Sequence, residues 1–538
     1  MRNRFLYILF IAVAAALLGS CRGAVDAPSP TSAATPFPLD PAVQHSRRAQ
    51  EYIQQGEYEQ AIAELSAVIQ LDTDSVSMAM AYYQRGLAYV ALGDSAAALA
   101  DFTQCINRDQ AFTRAYLARG SLYTSLGQIE QAIADYSRVI ELEPEGVSAY
   151  INRAMLYDAS EKYDLAIADY DRAILLSPGE AALYNNRAAA YFRMGDEAAA
   201  LADFNQAIQI DPAYAQAYYN RGRLCMAGQD WEACIADFSQ AIDLAPDLAD
   251  AYYRRGLIYY TMQNFEFALA DFDRLAGIAP DAPESYYYRA LTYAALGRNE
   301  EALADFSRLI ALQPGNASYY FNRGVIYERL DQLEPAAADY TQAIAFAPDD
   351  PAAYNNRGNI YLEMGEYILA VDDLTAALTL DPEYGLAYEN RGRACLALEQ
   401  YQEALDDFTR LIELQELQPG EVSGYLYRAV TYYNWDKMQP AIADLDKAIE
   451  ISPDNSQAYY WRGAAYTRMG YYDQAIADFS MVINLAPDDA TAYYNRGLIY
   501  KYLGQWQNAI ADFQRCLELK PDADLQQQAQ DRLAEMGK

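Results

Sequence analysis

One unit of 34 residues, written repeatedly, limits what this chain can fold into. Residues 492–521 read AYYNRGLIYKYLGQWQNAIADFQRCLELKP, and residues 217–246 read AYYNRGRLCMAGQDWEACIADFSQAIDLAP. Aligned on the small residue that follows an arginine, the copies fall at Gly86, Gly120, Ala154, Ala188, Gly222, Gly256, Ala290, Gly324, Gly358, Gly392, Ala429, Gly463 and Gly497. The interval is 34, except for 37 between Gly392 and Ala429; a degenerate copy at Ala49 lies 37 before Gly86. Such an array is quasi-one-dimensional, because each unit covers its apolar face with the next.

Each copy carries two helical patterns. Tyr493, Gly497 and Tyr500 share one face of the first at i, i+4 and i+7, and Ala509, Phe513 and Cys516 do the same in the second. A proline such as Pro521 closes eleven of the fourteen copies, since it lacks the amide donor that a helix needs. A glycine such as Gly504 separates the helices. The small residue lets the second helix approach; the matching place there is Ala in thirteen copies (Ala61, Ala98 and Ala132 onward) and Cys234 in the other.

These residues resemble the tetratricopeptide repeat (TPR), whose signature sets an aromatic, a small residue, Tyr, Ala, an aromatic and Pro at such intervals. The likeness covers about fourteen repeats over 42–521. It implies an all-α solenoid: helix–turn–helix units stacked into a right-handed superhelix, with a concave groove lined by the first helices. Residues 522–538 read as a polar capping helix, with Leu525, Ala529 and Leu533 facing the last repeat. The 37-residue intervals place three extra residues near 73–80 and 415–424, where a longer helix end or loop is expected.

One place departs from the family pattern. From the second copy onward the residue before the small one is Arg, including Arg221, Arg255 and Arg496, and a matching Asp precedes the second-helix aromatic, including Asp237, Asp271 and Asp512. The first copy has Arg48 and Glu64. This predicts a structural ladder of Arg–Asp pairs, within a repeat or across its junction; an anion-binding arginine row is the functional alternative. The chain also holds 49 tyrosines. The place after the first aromatic faces the groove in the family, which makes Tyr83, Tyr219, Tyr253, Tyr287, Phe321, Tyr460 and Tyr494 the candidate groove residues; the alternative is that Tyr is simply common there. Cys225 and Cys234 lie on opposing helices of one repeat, as a disulfide or as buried thiols.

The N-terminus reads as an address. Residues 1–21 combine Arg2 and Arg4 with an apolar run of signal-peptide length that ends in Leu-Gly-Ser-Cys. This resembles a bacterial lipobox and implies lipidation of Cys21. Residues 22–41, rich in Pro, Ser and Ala, read as a tether.

The net charge of −35 excludes a nucleic-acid partner, whose phosphates demand a basic patch. One histidine, His45, excludes a multi-histidine metal centre. No phosphate loop or nucleophile–base pair stands out. We therefore expect no catalytic, cofactor-binding or metal site, and no enzyme. Basic residues are sparse at groove places, which argues against the binding of acidic C-terminal tails. The expectation is a protein-binding scaffold, lipid-anchored in the bacterial cell envelope (at the outer membrane, facing the periplasm, if the cell has one). Its partner is a protein or peptide, and basic segments would suit the charge. The alternative is a glycan or small-ligand binder that uses groove tyrosines.

Overall fold

A computed structural model describes residues 40–71, 75–415 and 421–537. The expected signal peptide with Cys21, and the expected tether up to residue 39, lie outside the described residues. Those described form 29 helices and no strand. They divide into two compact units, one up to Ile258 and one from Tyr259.

Within each unit the helices alternate as the periodicity requires. Thr113–Ser125 and Ile129–Leu142 form one pair in the first unit, and Ala317–Arg329 and Leu333–Phe346 one in the second. Asp94, Asp196 and Asp230 cap second helices by accepting from the amides of Ala97, Ala199 and Ala233. Glu143 leaves its helix at φ −130°, as the residue before Pro144 must. The first three-residue insertion lengthens a helix: Ser75–Ala91 has 17 residues, against 13 in Thr113–Ser125. The second falls largely in 416–420, outside the described residues.

The contact between the two helices of a pair is steric. An added Cβ on Gly86 would lie 2.7 Å from the Phe102 ring, and one on Gly392 would lie 2.5 Å from Phe408. The ring of the second helix thus sits on the missing side chain of the first. Phe102, Phe238, Phe408 and Phe513 are fully buried in this way, and Phe204 and Phe306 are buried in copies whose small residue is Ala188 or Ala290. The cores run from repeat to repeat inside a unit. One cluster joins Tyr83, Phe102 and Cys105 to Tyr116, Leu122, Val139 and Ala149. At the end of the second unit, Ala529 and Leu533 of the helix Ala523–Glu535 are buried against Tyr494, Phe513 and Cys516.

The turn inside a pair is uniform where the sequence is not. Gly93, Gly127, Gly195, Gly297, Gly365, Gly470 and Gly504 have positive φ, as glycine permits. Glu161, Gln229, Gln263, Asp331, Glu399 and Asp436 hold the same place in the other copies, at φ of 55–61°.

Candidate functional site

The repeated arginines are the most regular polar feature of both units. In twelve copies Nε and Nη2 donate in parallel to the two oxygens of the Asp 16 residues on, at 2.6–2.9 Å. Arg221 meets Asp237 and Arg496 meets Asp512 in this fork. Arg255 and Asp271 belong to different units; Asp271 is buried. The Asp side chains of the twelve pairs are 5–11% exposed and the arginines 16–24%. The bond to Asp101 holds the Arg85 guanidinium above even its usual high pKa.

In these twelve copies the arginine meets its matching Asp within its own repeat, and it reaches across the junction through another nitrogen to a different residue. The third nitrogen, Nη1, donates to a polar residue on the second helix of the preceding repeat. Arg85 reaches Ser66 at 2.8 Å, Arg255 reaches Ser239 at 2.8 Å, Arg289 reaches Asp273 at 2.9 Å and Arg391 reaches Thr375 at 3.1 Å. Ser66 and Ser239 send their own protons to a carbonyl four residues back, which leaves a lone pair for the arginine.

Many of the tyrosines flank this fork. The Arg119 guanidinium carbon lies 5.8 Å from the ring centroids of both Tyr116 and Tyr123, and Arg289 lies 5.2 and 5.8 Å from Tyr286 and Tyr293. In six copies the first tyrosine also ties down the loop before its helix. Tyr286 donates to the carbonyl of Pro280 at 2.9 Å, and Tyr388 to that of Pro382 at 3.2 Å. In the first copy His45 replaces that tyrosine. Its Nδ1 lies 2.5 Å from Glu64, while Arg48 is left at 3.4 Å and half exposed.

The candidate groove rings occupy a different environment from an open stripe. Tyr83, Tyr219 and Tyr494 are buried, with centroids 6.1, 5.9 and 5.7 Å from Phe102, Phe238 and Phe513. Phe321 packs on Tyr340, Tyr460 on Phe479 and Tyr287 on Phe306, all half-buried at their outer edge. Tyr253 is half-buried.

What first helices leave accessible beside these rings differs between the units. Hydrogen bonds run from repeat to repeat in both: Asn220 donates to Asn185 at 2.9 Å and Arg254 to the Tyr219 hydroxyl at 3.0 Å in the first unit, and Asn390 donates to Asn355 at 3.3 Å and Asn495 to the Tyr460 hydroxyl at 3.1 Å in the second. Arg223 and Arg254 both lie 5.9 Å from the Tyr219 ring, and neither has a carboxylate partner among the described residues. A cleft of about 90 Å³ opens beside Phe192, Asn220 and Arg223. Sequence reasoning missed these two arginines. Arg223 stands one place after the small residue and Arg254 two before it, a signal that the dominant Arg–Asp pattern obscured. In the second unit a cleft of about 250 Å³ is lined by Glu284, Tyr287, Tyr288, Asn316 and Tyr319. Burial, with the Glu284 carboxylate behind it, pushes the Tyr319 hydroxyl above its usual pKa.

Among the described residues no group of three or more His, Cys, Asp or Glu is placed to hold a metal ion, and no helix is long and apolar enough to cross a membrane. The five cysteines described are free thiols.

Comparison with known proteins agrees with this architecture. Models of the tetratricopeptide repeat match residues 155–224, 291–354 and 462–534, residues 351–384, and residues 79–112, 249–281 and 386–416. A TPR repeat model matches 49–93, 120–159, 222–263 and 437–470. Among solved structures the chain is similar to the APC/C hetero-tetramer Cut9–Hcn1, at 13% identity over 86% of this chain and 96% of that one, with a TM-score of 0.38. It is similar to a tetratricopeptide repeat protein from Parabacteroides merdae, at 22% identity over 46% and 96%, with a TM-score of 0.39. It is also similar to YrrB, described as a TPR protein with an unusual peptide-binding site, at 24% identity over 36% and 99%, with a TM-score of 0.30. These likenesses carry no functional meaning. No curated protein matches. The family matches run from residue 49 to 534 with short gaps, and the chain belongs to the tetratricopeptide-repeat family.

Proposed function

We propose that the chain is a non-enzymatic scaffold, held at the bacterial cell envelope by lipid on Cys21, that binds a partner protein along its first helices. One observation carries the binding part. The repeated Arg, Asp and Tyr are consumed inside and between repeats, so the side chains left to meet a partner are the non-repeating ones on first helices. Arg223 and Arg254 offer guanidinium groups without a carboxylate in the first unit. Glu284 beside Tyr287, Tyr288 and Tyr319 suits a lysine or arginine side chain in the second, through charge and ring faces together. A partner with a basic segment therefore fits the second unit. The lipid anchor rests on the Leu-Gly-Ser-Cys run that ends at Cys21. Burial of Tyr83, Tyr219 and Tyr494 removes three rings from the open stripe that a glycan binder would use.

Two measurements on the full chain in cells test this reading. A photo-crosslinking residue at Tyr288 yields a discrete protein adduct, and one at the exposed second-helix residue Leu175 does not; equal adducts from both positions defeat the first-helix assignment. A clickable fatty acid labels the wild-type chain and fails to label Cys21→Ala; equal labelling of both defeats the anchor.

A further inference from the structure

Two exceptions to the repeat coincide in one copy. Three places after the small residue the chain has Tyr in twelve copies, with Cys225 and Cys395 as the exceptions. Twelve places after it the chain has Ala in thirteen, with Cys234 as the exception. Cys395 faces the usual residue, Ala404, in its own copy; Cys225 faces Cys234. The repeat at Gly222 has thus exchanged a Tyr–Ala contact across its two helices for a pair of thiols.

The structure places these thiols on the two helices of one pair, on either side of its turn. Cys225 is on the helix Ala215–Ala227 and Cys234 on Trp231–Leu244, joined by a turn in which Gln229 takes φ 55°. Each thiol lies near enough to bear on the other's titration, with Cys234 fully buried, Cys225 half-buried and both free. The exchange also removes the ring that flanks the arginine fork elsewhere: Arg221 keeps Tyr218, at 5.6 Å, as its aromatic neighbour. A repeat that gives up a cross-helix ring contact gains a place for a covalent one.

We propose that Cys225 and Cys234 are a cross-link site, where a disulfide ties together the two helices of this one repeat when the chain meets a disulfide oxidant. The Cys225 thiolate, the more accessible, attacks oxidised glutathione and releases one glutathione thiolate. The Cys234 thiolate then attacks the Cys225 sulfur and releases the second. Two thiol protons go to solvent, two electrons go to the glutathione disulfide, and one S–S bond is broken for one formed. Burial pushes the Cys234 thiol up to about 12, so its small thiolate fraction makes the closing attack slow. The site does not depend on export or on a partner, so it stands or falls separately from the proposed function.

The test uses the full-length protein in a glutathione redox buffer, quenched in denaturant with an alkylating reagent and digested with trypsin. No Lys or Arg lies between Arg223 and Arg254, so one peptide carries both cysteines. The expected product is that peptide lacking two hydrogens and both alkyl groups, while Cys105, Cys395 and Cys516 are alkylated. In Cys225→Ser the same peptide gains its one alkyl group at Cys234. The double variant C225Y/C234A, which restores the pattern of the other copies, shows the same melting temperature in oxidant and in reductant, whereas the wild-type chain melts higher in oxidant. Full alkylation of both cysteines after oxidation, or a persistent glutathione adduct on Cys225 beside an alkylated Cys234, overturns the proposal.

Discussion

An arginine whose fork meets a carboxylate in its own repeat and a hydroxyl or carboxylate in the repeat before it joins two levels of the stack with one side chain. The geometry decides what its loss should do. In Arg323→Gln the carboxylate of Asp339, 7% exposed, stays buried without a cation, and Ser307 loses its donor. We expect a loss on the order of 3 kcal/mol, the scale of a broken buried pair, read as a lower urea midpoint for the transition containing that repeat. Arg323→Met combined with Asp339→Leu should lose less than the single variant, because no charge is left stranded. A loss in Arg323→Gln below about 0.5 kcal/mol would mean that the pair behaves as an exposed one. Thiols answer to burial in the same way. Burial pushes Cys105 up to about 12 and Cys395 up to about 11. At pH 8 both are neutral in the folded chain, so iodoacetamide should label them far more slowly than in denaturant, where an ordinary thiol is partly ionised. Equal rates in the two states would show that these side chains are open to solvent.

Each pair of helices turns through one residue in the left-handed region, and the chain does not always provide a glycine for it. A side chain at such a place costs roughly 1–2 kcal/mol in backbone strain. Glu399, at φ 59°, is one such residue. Glu399→Gly relieves that strain and adds some entropy to the unfolded chain, so the net effect is a stabilisation of about 0.5–1 kcal/mol. The reverse holds at Gly365, at φ 78°, where Ala should destabilise by about 1 kcal/mol. Thermal melting of the two variants checks both signs; a lower melting temperature for Glu399→Gly counts against the strain. This turn also shows where sequence reading stops. Gly504 announces its turn, but Glu161, Gln263 and Glu399 carry no such mark, and only register with the other copies assigns them to it. Helix pairs were legible because Gly86 and Phe102 encode a steric fit that recurs at one spacing. The Arg–Asp pairing was legible as a match of charges, but its reach to Ser66 was not, since a lone serine on a helix gives no sign of a donor from the next repeat. The burial of Tyr83 was hidden for a related reason: a place that lies toward the groove also lies over the ring of Phe102, and only packing decides which side the ring takes.

At the scale of a whole unit the repeat makes length negotiable but register strict. Each pair touches only its neighbours, so stability is close to a sum of repeat terms and junction terms. In the second unit, removing residues 324–357 joins Arg323 to Gly358, the equivalent of the Gly324 that followed it. Arg323 then meets Asp373 at the 16-residue spacing that Asp339 had, and keeps Ser307 behind it. Gly358 brings Leu374 in place of Tyr340 onto the close contact, and a branched side chain at that place already packs against Gly358. We therefore expect the shortened chain to stay soluble, with helicity per residue unchanged by circular dichroism and a melting temperature within a few degrees of the parent. Removing only the helix Leu333–Phe346 deletes Asp339 and Tyr340 but keeps Arg323 and Gly324, so it strands a cation and bares the apolar face of Ala317–Arg329. That chain should aggregate or expose dye-binding surface. The contrast is the test: if half a repeat is lost as harmlessly as a whole one, the helices do not depend on pairing. If the whole-repeat deletion collapses as badly, stability resides in contacts longer than one junction, and the fork and small-residue contacts are not what holds neighbouring repeats together.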